Sequence, residues 1–595
     1  ITTGQANVMV GDGSLGANQT GGSNTAIGHF CLNNNTTDNA TGVGAQCLRS
    51  NTTGAYNTAV GMSALTTNTT GGNNTAHGYH ALYLATTASN NTGLGHNALG
   101  ACTTGHSNTG VGQGSGENIT TGNHNTAVGR NSLGSLTTAS NCTAFGQSSL
   151  FANTTGENNT SYGAYALDAN TTATNNVAVG ASAMTTNTTG AQNTAIGSLA
   201  VRLNTTASNC TGVGYGALSA NTTGESNTAV GANCLDACTT GQENTAMGQG
   251  ALTTATTASN NSAFGSNALL SNVTGHSNCG FGHDCMEANT ANLNSAFGFE
   301  SMKSNTSGEN NTAVGANTLD ACTTGSRNVA AGSFAMTTST TAEECVAVGQ
   351  AALQNLTTGS QNTALGQNAL AANTTASNNT AIGRSALAAN TTGNALVAVG
   401  QLAGQGNTTG GSNSYFGYGA GGTVTTGSTN IIIGTNASSS SSITTGSSNV
   451  IIGCNYNPSN QSNLLAFNNA SQTISCSAGA SSFSFSSDGR DKTDIIDLSL
   501  GLDFINKLTP RKFRWDYRDT SRFPVDSKEK PEMLIRAGFI AQEVEEVLKE
   551  ENAKYTGIVN DNDPDALEVS ATGMIPMMIN AIKELSAKVT ALEAG

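Results

Sequence analysis

The polar string Ser486-Ser487-Asp488-Gly489-Arg490-Asp491-Lys492 holds the residue types for one reaction, cleavage of the chain by itself. A serine hydroxyl can attack the carbonyl of the preceding residue through a five-membered ring, turning the amide into an ester that water then opens. The hydroxyl needs a base, and a lysine serves when burial or a second cation lowers its pKa. Lys492 lies five residues beyond Ser487 with Arg490 between them, and a turn at Asp488-Gly489 would bring the ammonium back to the hydroxyl. The expected assignment is therefore Ser487 as nucleophile and Lys492 as base. Asp488 and Arg490 shape the turn, and the bond cut joins Ser486 to Ser487. A six-residue polar string on its own also reads as a solvated turn, so the weight falls on where this one sits.

It sits at a step in composition. Residues 1–486 carry 6 Lys/Arg and 15 Asp/Glu and are built from Asn, Thr, Gly, Ala and Ser. Residues 487–595 carry 15 Lys/Arg and 21 Asp/Glu, the single Trp515 and five of the six prolines. Such a step marks a domain boundary. Both sides are acidic, within a net charge of −15, so neither has the electrostatic footprint of a nucleic-acid binder. No apolar run approaches the roughly 18 residues that cross a bilayer, so membrane insertion is not expected. There is no signal peptide, and a start at Ile1 rather than Met suggests a trimmed chain or a fragment.

Left of the step the chain repeats. With the glycine of Asn57-Thr58-Ala59-Val60-Gly61 as anchor, equivalent glycines fall at 11, 28, 44, 61, 78 and onward to 417, 434 and 453. Of these 26 intervals all are 17 residues except 16 before Gly44, 16 before Gly298 and 19 before Gly453. Each unit has two short apolar pieces between polar turns, too short for helix and suited to strands. A 17-residue unit cannot bury its own apolar face, but units stacked rung on rung can, which predicts a parallel β-solenoid. No proline occurs before Pro458, as expected when rung N–H groups donate to neighbouring rungs. At about 4.8 Å per rung the rod is roughly 120 Å long.

The remaining chemistry of the repeat is sparse. Cys31, Cys47, Cys234 and Cys285 lie three residues after an anchor, Cys102, Cys238 and Cys322 seven after, and Cys142, Cys210 and Cys345 four before. Three fixed columns of small residues point to inward sites of limited room. Free thiols fit that scatter better than a disulfide framework, and no CxxC suggests a metal site. Asn-Thr-Thr at 51–53, 187–189 and 390–392 matches the glycosylation pattern, but asparagine and threonine stacked along turns explain the same residues. A threonine array could bind ice or glycans, yet these threonines cluster at turns. Asp236 and Asp320 share a column but lie five rungs apart, too far for the paired acids of a glycan hydrolase. No cofactor is implied.

Two resemblances add to this reading. The repeats, over about residues 5–455, resemble the head repeats of trimeric autotransporter adhesins, which implies three parallel coils around one axis. This unit is longer and richer in Asn-Thr-Thr. From Ser487 onward the chain resembles the intramolecular chaperone of phage endosialidase tailspikes, a self-cleaving serine peptidase family. The resemblance rests on Ser487-Asp488-x-Arg490-x-Lys492, on Leu508-Thr509-Pro510 with Phe513-Arg514-Trp515, and on the run from Ala537 to Val544. Ile575-Pro576 and the stretch from Ala581 to Leu585 extend it. Val569-Ser570-Ala571-Thr572 departs from it, where a tyrosine-containing segment is usual. The family implies trimer assembly followed by self-release.

Ile575, Met578, Ile582, Leu585, Val589 and Leu592 form a heptad seam of about two and a half heptads. It reads either as a coiled coil within an assembly or as a helix packed on its own domain. The expected organisation is a mainly β chain: a solenoid over residues 1–455, closing strands and junction over 456–486, and a small α+β chaperone domain over 487–595. The expected function is that of a homotrimeric virus or phage tail fibre in the virion, with a host-surface receptor or glycan as its target. The alternative is an extracellular or cell-surface bacterial adhesin carrying the same folding domain.

Overall fold

A computed structural model describes residues 2–439, 443–468, 473–476, 484–485, 495–513, 536–553, 557–560, 567–570 and 572–595. It divides into two compact units, Ile1–Ser486 and Ser487–Gly595. In the first, each repeat contributes one short strand, from β1 (Val8–Val10) to β27 (Val450–Gly453). Consecutive strands pair parallel and in register, as where Thr58, Ala59 and Val60 face Thr75, Ala76 and His77. The 17-residue parallel solenoid read from the anchors is the fold of this unit. After β27 the chain adds β28 (Leu465–Asn468), parallel to it, then β29 (Thr473–Cys476) and β30 (Ser484–Phe485), both antiparallel. These are the closing strands expected over residues 456–486.

The rung from Thr58 shows why this sequence stacks. Thr58 and Val60 point outward while Ala59 is fully buried. Gly61 follows with φ 130°, and a Cβ there would lie 2.6 Å from the carbonyl oxygen of Gly78 in the next rung. Both the dihedral and the close approach demand glycine, which is the physical origin of the 17-residue period. Ser63 and Leu65 then take left-handed dihedrals of 60° and 51°, turning Ala64 and Leu65 into the core. A left-handed leucine costs about 1–2 kcal/mol, and its full burial returns about 1.5–3 kcal/mol, so packing sets the sign.

Although only three residues of the rung are strand, most of its backbone is bonded to neighbours. Gly61 and Ser63 N–H donate back to Val43 and Ala45 (2.7 and 2.9 Å), while Leu65 and Thr69 N–H donate forward to Ala81 and Thr86 (3.0 and 2.8 Å). Two buried columns of asparagine complete the interior. Asn74 Nδ2 donates to Asn57 Oδ1 (3.1 Å) and to the Ala88 carbonyl (2.8 Å), and in the second column Asn68 Nδ2 donates to Asn51 Oδ1 (2.6 Å). Buried amides persist because ladder and turn satisfy them together.

These ladders settle two readings of the repeat. Asn51, Asn187 and Asn390, the glycosylation-pattern asparagines, are fully buried, so the stacked-amide explanation holds for them. The ten cysteines of the three columns are all buried and free. Burial pushes the Cys102 and Cys238 thiols up to about 12, which makes them inert fillers.

The second unit is small and mixed. It holds α1 (Leu502–Lys507), a hairpin of β31 (Arg511–Phe513) with β32 (Arg536–Gly538), α2 (Ala541–Glu550), a pair of β33 (Val559–Asn560) with β34 (Glu568–Val569), and α3 (Ile575–Glu593). Its core gathers Leu500, Phe504, Leu508, Val544, Leu548, Ile558, Met574 and Met577.

Candidate functional site

The five residues assigned to self-cleavage, Ser486, Ser487, Asp488, Arg490 and Lys492, lie outside the described residues. Downstream of them the described chain resumes at Ile495, and Ile495 and Ile496 are exposed. By Leu500 the chain is buried, and helix α3 holds it there. Asn580 Nδ2 donates to the carbonyls of Leu498 and Leu500 (3.1 and 3.2 Å). One turn on, the Glu584 carboxylate accepts the Leu502 N–H (2.8 Å). That carboxylate does the capping work at α1, whose own N-cap residue Gly501 has no side chain to offer.

The motif residues outside the string fall at structural junctions. Ala541 opens α2, and Ala541, Val544 and Leu548 are its buried face. Arg511 of β31 makes a two-pronged contact with Glu543 of α2, Nε to Oε2 at 2.9 Å and Nη2 to Oε1 at 2.8 Å. This planar pairing fixes the hairpin to the helix. The Glu543 hydrogen bonds raise the Arg511 pKa further, leaving the cation permanently charged. Lys507 pairs with Glu550, the last residue of α2, and with Glu551 just beyond it. Pro576 stands in the first turn of α3, where a missing N–H costs nothing.

Helix α3 combines the two readings of its sequence. Met577 and Ala581 are buried and face the unit, while Ile575, Met578, Ile582, Leu585, Val589 and Leu592 remain between 44 and 82 % exposed. The helix therefore packs on its own domain with one face and presents the heptad seam with another. The pair Asn580 and Glu584 was not singled out by sequence reasoning. Its signal is a polar i, i+4 pair on the face that also carries Met577 and Ala581.

Among the described residues no cluster of three or more His, Cys, Asp or Glu could hold a metal ion. Nor is any described helix long and apolar enough to cross a membrane. Neither a curated protein nor a solved structure matches the chain. One family does: residues 487–552 match the family described as chaperone of endosialidase. The match starts at Ser487 and ends just past α2, taking in the serine-lysine string, α1, the hairpin and α2. The solenoid thus leads into a compact unit, Ser487–Gly595, of which residues 487–552 match the endosialidase-chaperone family.

Proposed function

We propose that the chain is a homotrimeric tail fibre of a virus or phage, used for host attachment. In this reading its C-terminal domain brings three copies into register and then releases itself. The observation that carries the reading is a coincidence of boundaries: the chaperone match opens at Ser487, the residue at which the compact units divide. In the cleavage step Ser487 Oγ adds to the Ser486 carbonyl carbon as Lys492 takes the hydroxyl proton. The C–N bond breaks, the amine leaves protonated, and the resulting ester is hydrolysed to the Ser486 carboxylate and the free Ser487 hydroxyl.

Three copies are supported by two exposed apolar surfaces, one in each unit. The seam on α3 is one. The other is the strand position before each anchor glycine, filled by Ile27, Ile196, Phe297, Ile382 and Ile452 among others, each 37–41 % exposed. Where aromatics meet in this column they stack, as Phe264 on Phe281 at 4.4 Å. At roughly 60 Å² per rung the column offers on the order of 1,500 Å² per copy, above the about 800 Å² per partner of a standard stable interface. Side-by-side copies face a registration problem, because a slip by one rung preserves almost every contact. A folding domain of unique sequence removes that degeneracy, and cutting it off afterwards makes assembly irreversible.

The test is intact mass of the purified protein, wild type beside Ser487→Ala, with native mass on the same samples. Wild type is expected as a trimer ending at Ser486, and Ser487→Ala as a full-length trimer. A full-length wild type overturns the cleavage, a cut Ser487→Ala removes the nucleophile, and monomers in native mass overturn the assembly.

A further inference from the structure

Among the buried cysteines, Cys31 and Cys47 stand apart. They occupy the same column in adjacent rungs, and no other cysteine of the three columns has a cysteine beside it in that way. The backbone around them is locked in register, with Gln46 N–H on the His29 carbonyl (2.8 Å) and Leu32 N–H on the Cys47 carbonyl (2.9 Å). Adjacent strands stand about 4.8 Å apart, inside the Cα separation of about 4.4–6.8 Å that a disulfide spans.

The space between the two sulfurs is made by a glycine. Gly42 sits in the strand column where the rungs on either side carry Ala26 and Ala59. A Cβ on Gly42 would lie 2.5 Å from Cys31 Sγ and 3.5 Å from Cys47 Sγ, so both sulfurs converge on the volume of the missing methyl group. Cys47 Sγ also contacts the Ala59 carbonyl oxygen at 3.0 Å, which fixes its rotamer toward the interior. Both residues are fully buried.

We propose that Cys31 and Cys47 are a redox site: a dithiol that closes to an inter-rung disulfide and staples the second and third rungs together. The oxidant is a small-molecule disulfide that reaches the thiols before the rungs close or during their local opening. The Cys31 thiolate attacks one sulfur of that disulfide and releases one thiol, leaving a mixed disulfide. The Cys47 thiolate then attacks Cys31 Sγ and releases the second thiol. Two protein thiols are oxidised, one external disulfide is reduced to two thiols, and both protons pass to the leaving thiolates. Attack by Cys47 first gives the same balance and the same disulfide.

The tryptic peptide ending at Arg49 holds both cysteines and no other, so a single fragment reports the site. The full chain is refolded in oxidised glutathione, denatured, alkylated without reduction, digested and weighed. The expected result is a fragment two hydrogens lighter than the dithiol and carrying no alkyl group, with thiols in the whole chain falling from 13 to 11. Cys31→Ser and Cys47→Ser should each restore one alkylated thiol, and Gly42→Ala, which fills the shared space, should suppress closure. A wild-type fragment with both thiols alkylated overturns the proposal, as does one that stops at a glutathione adduct.

Discussion

Contacts in the two units span very different distances along the chain. In the solenoid the ladder bonds join residues one rung apart, as in Asn74 to Asn57 across 17 positions. In the second unit the bonds that hold its entry segment join Asn580 to Leu498 and Glu584 to Leu502, each across 82 positions. The solenoid is therefore stabilised by a sum of similar nearest-neighbour terms, with little in most rungs to mark their place. The second unit depends on a few unique long-range contacts, each of which specifies one arrangement. The region with the most repetitive contacts specifies its register least, and the region with the least repetitive ones specifies its arrangement most.

The sharpest way to break this contrast is at glycine. Gly61→Val places a β-branched residue at φ 130° with its Cβ 2.6 Å from a backbone oxygen of the next rung. Both faults recur at every anchor, so neighbouring rungs have no slack with which to absorb them. The expected loss exceeds about 4 kcal/mol and opens the solenoid locally, read as lost hydrogen-exchange protection from roughly residue 44 to residue 78. In the second unit Gly557 also has positive φ, at 68°, but a Cβ there meets nothing within 4 Å. Gly557→Ala should therefore cost only about 1 kcal/mol. Equal losses at the two sites would show that dihedral strain alone, and not rung contact, dictates the anchors.

The same contrast explains what the sequence made legible. Nearest-neighbour packing prints itself as periodicity, so the anchor glycines, the buried Ala59 and Leu65 columns and the inward cysteines could all be read from spacing. Two features of the solenoid could not. Asn57 and Asn74 look like surface turn residues by type, and only the closed ladder shows that they are interior. Tyr415 occupies an alanine column and is fully buried because Gly404 and Gly421 lack the Cβ atoms that would strike its ring, a compensation between rungs that no single repeat displays. In the second unit the seam on α3 was legible as a heptad. The clamp of Asn580 and Glu584 on residues 498–502 was not, because its partners are backbone atoms some eighty residues away. The serine-lysine string reads as a cleavage site by its place at the composition step, and its residues lie outside those described.

Polar contacts in the two regions should differ in the next degree. Asn74→Leu removes donors to the Ala88 carbonyl and to Asn57, and leaves the Asn91 N–H, which donates to Asn74 Oδ1 at 3.0 Å, without its acceptor. All of these groups are buried, so the expected cost is about 2–3 kcal/mol in denaturant unfolding. Asn580→Ala frees the carbonyls of Leu498 and Leu500 at a site that water can reach, and about 1 kcal/mol is expected. An Asn580→Ala loss as large as that of Asn74→Leu would mean that the clamp, and not the core around Phe504, holds the second unit together.

The smallest effect should carry the opposite sign. Non-glycine residues with left-handed dihedrals recur rung after rung in the solenoid, whereas among the described residues of the second unit only Asn552 has one, at φ 55°. Asn552 is already the residue type that tolerates this region best. In the solenoid the equivalent exposed turn position is Asn39, Asn73 and Asn90 in other rungs, all near 60°, but Tyr56 in its own rung. Tyr56 is 63 % exposed, so its ring returns little packing energy for the dihedral cost. Tyr56→Asn should therefore stabilise the solenoid by about 0.5–1 kcal/mol, seen as a small rise in the midpoint of thermal unfolding. A lowered midpoint would mean that the ring contributes more to its rung than the dihedral takes away. The left-handed positions would then be set by side-chain packing throughout, as they are at Leu65, and not by backbone preference at the exposed turn.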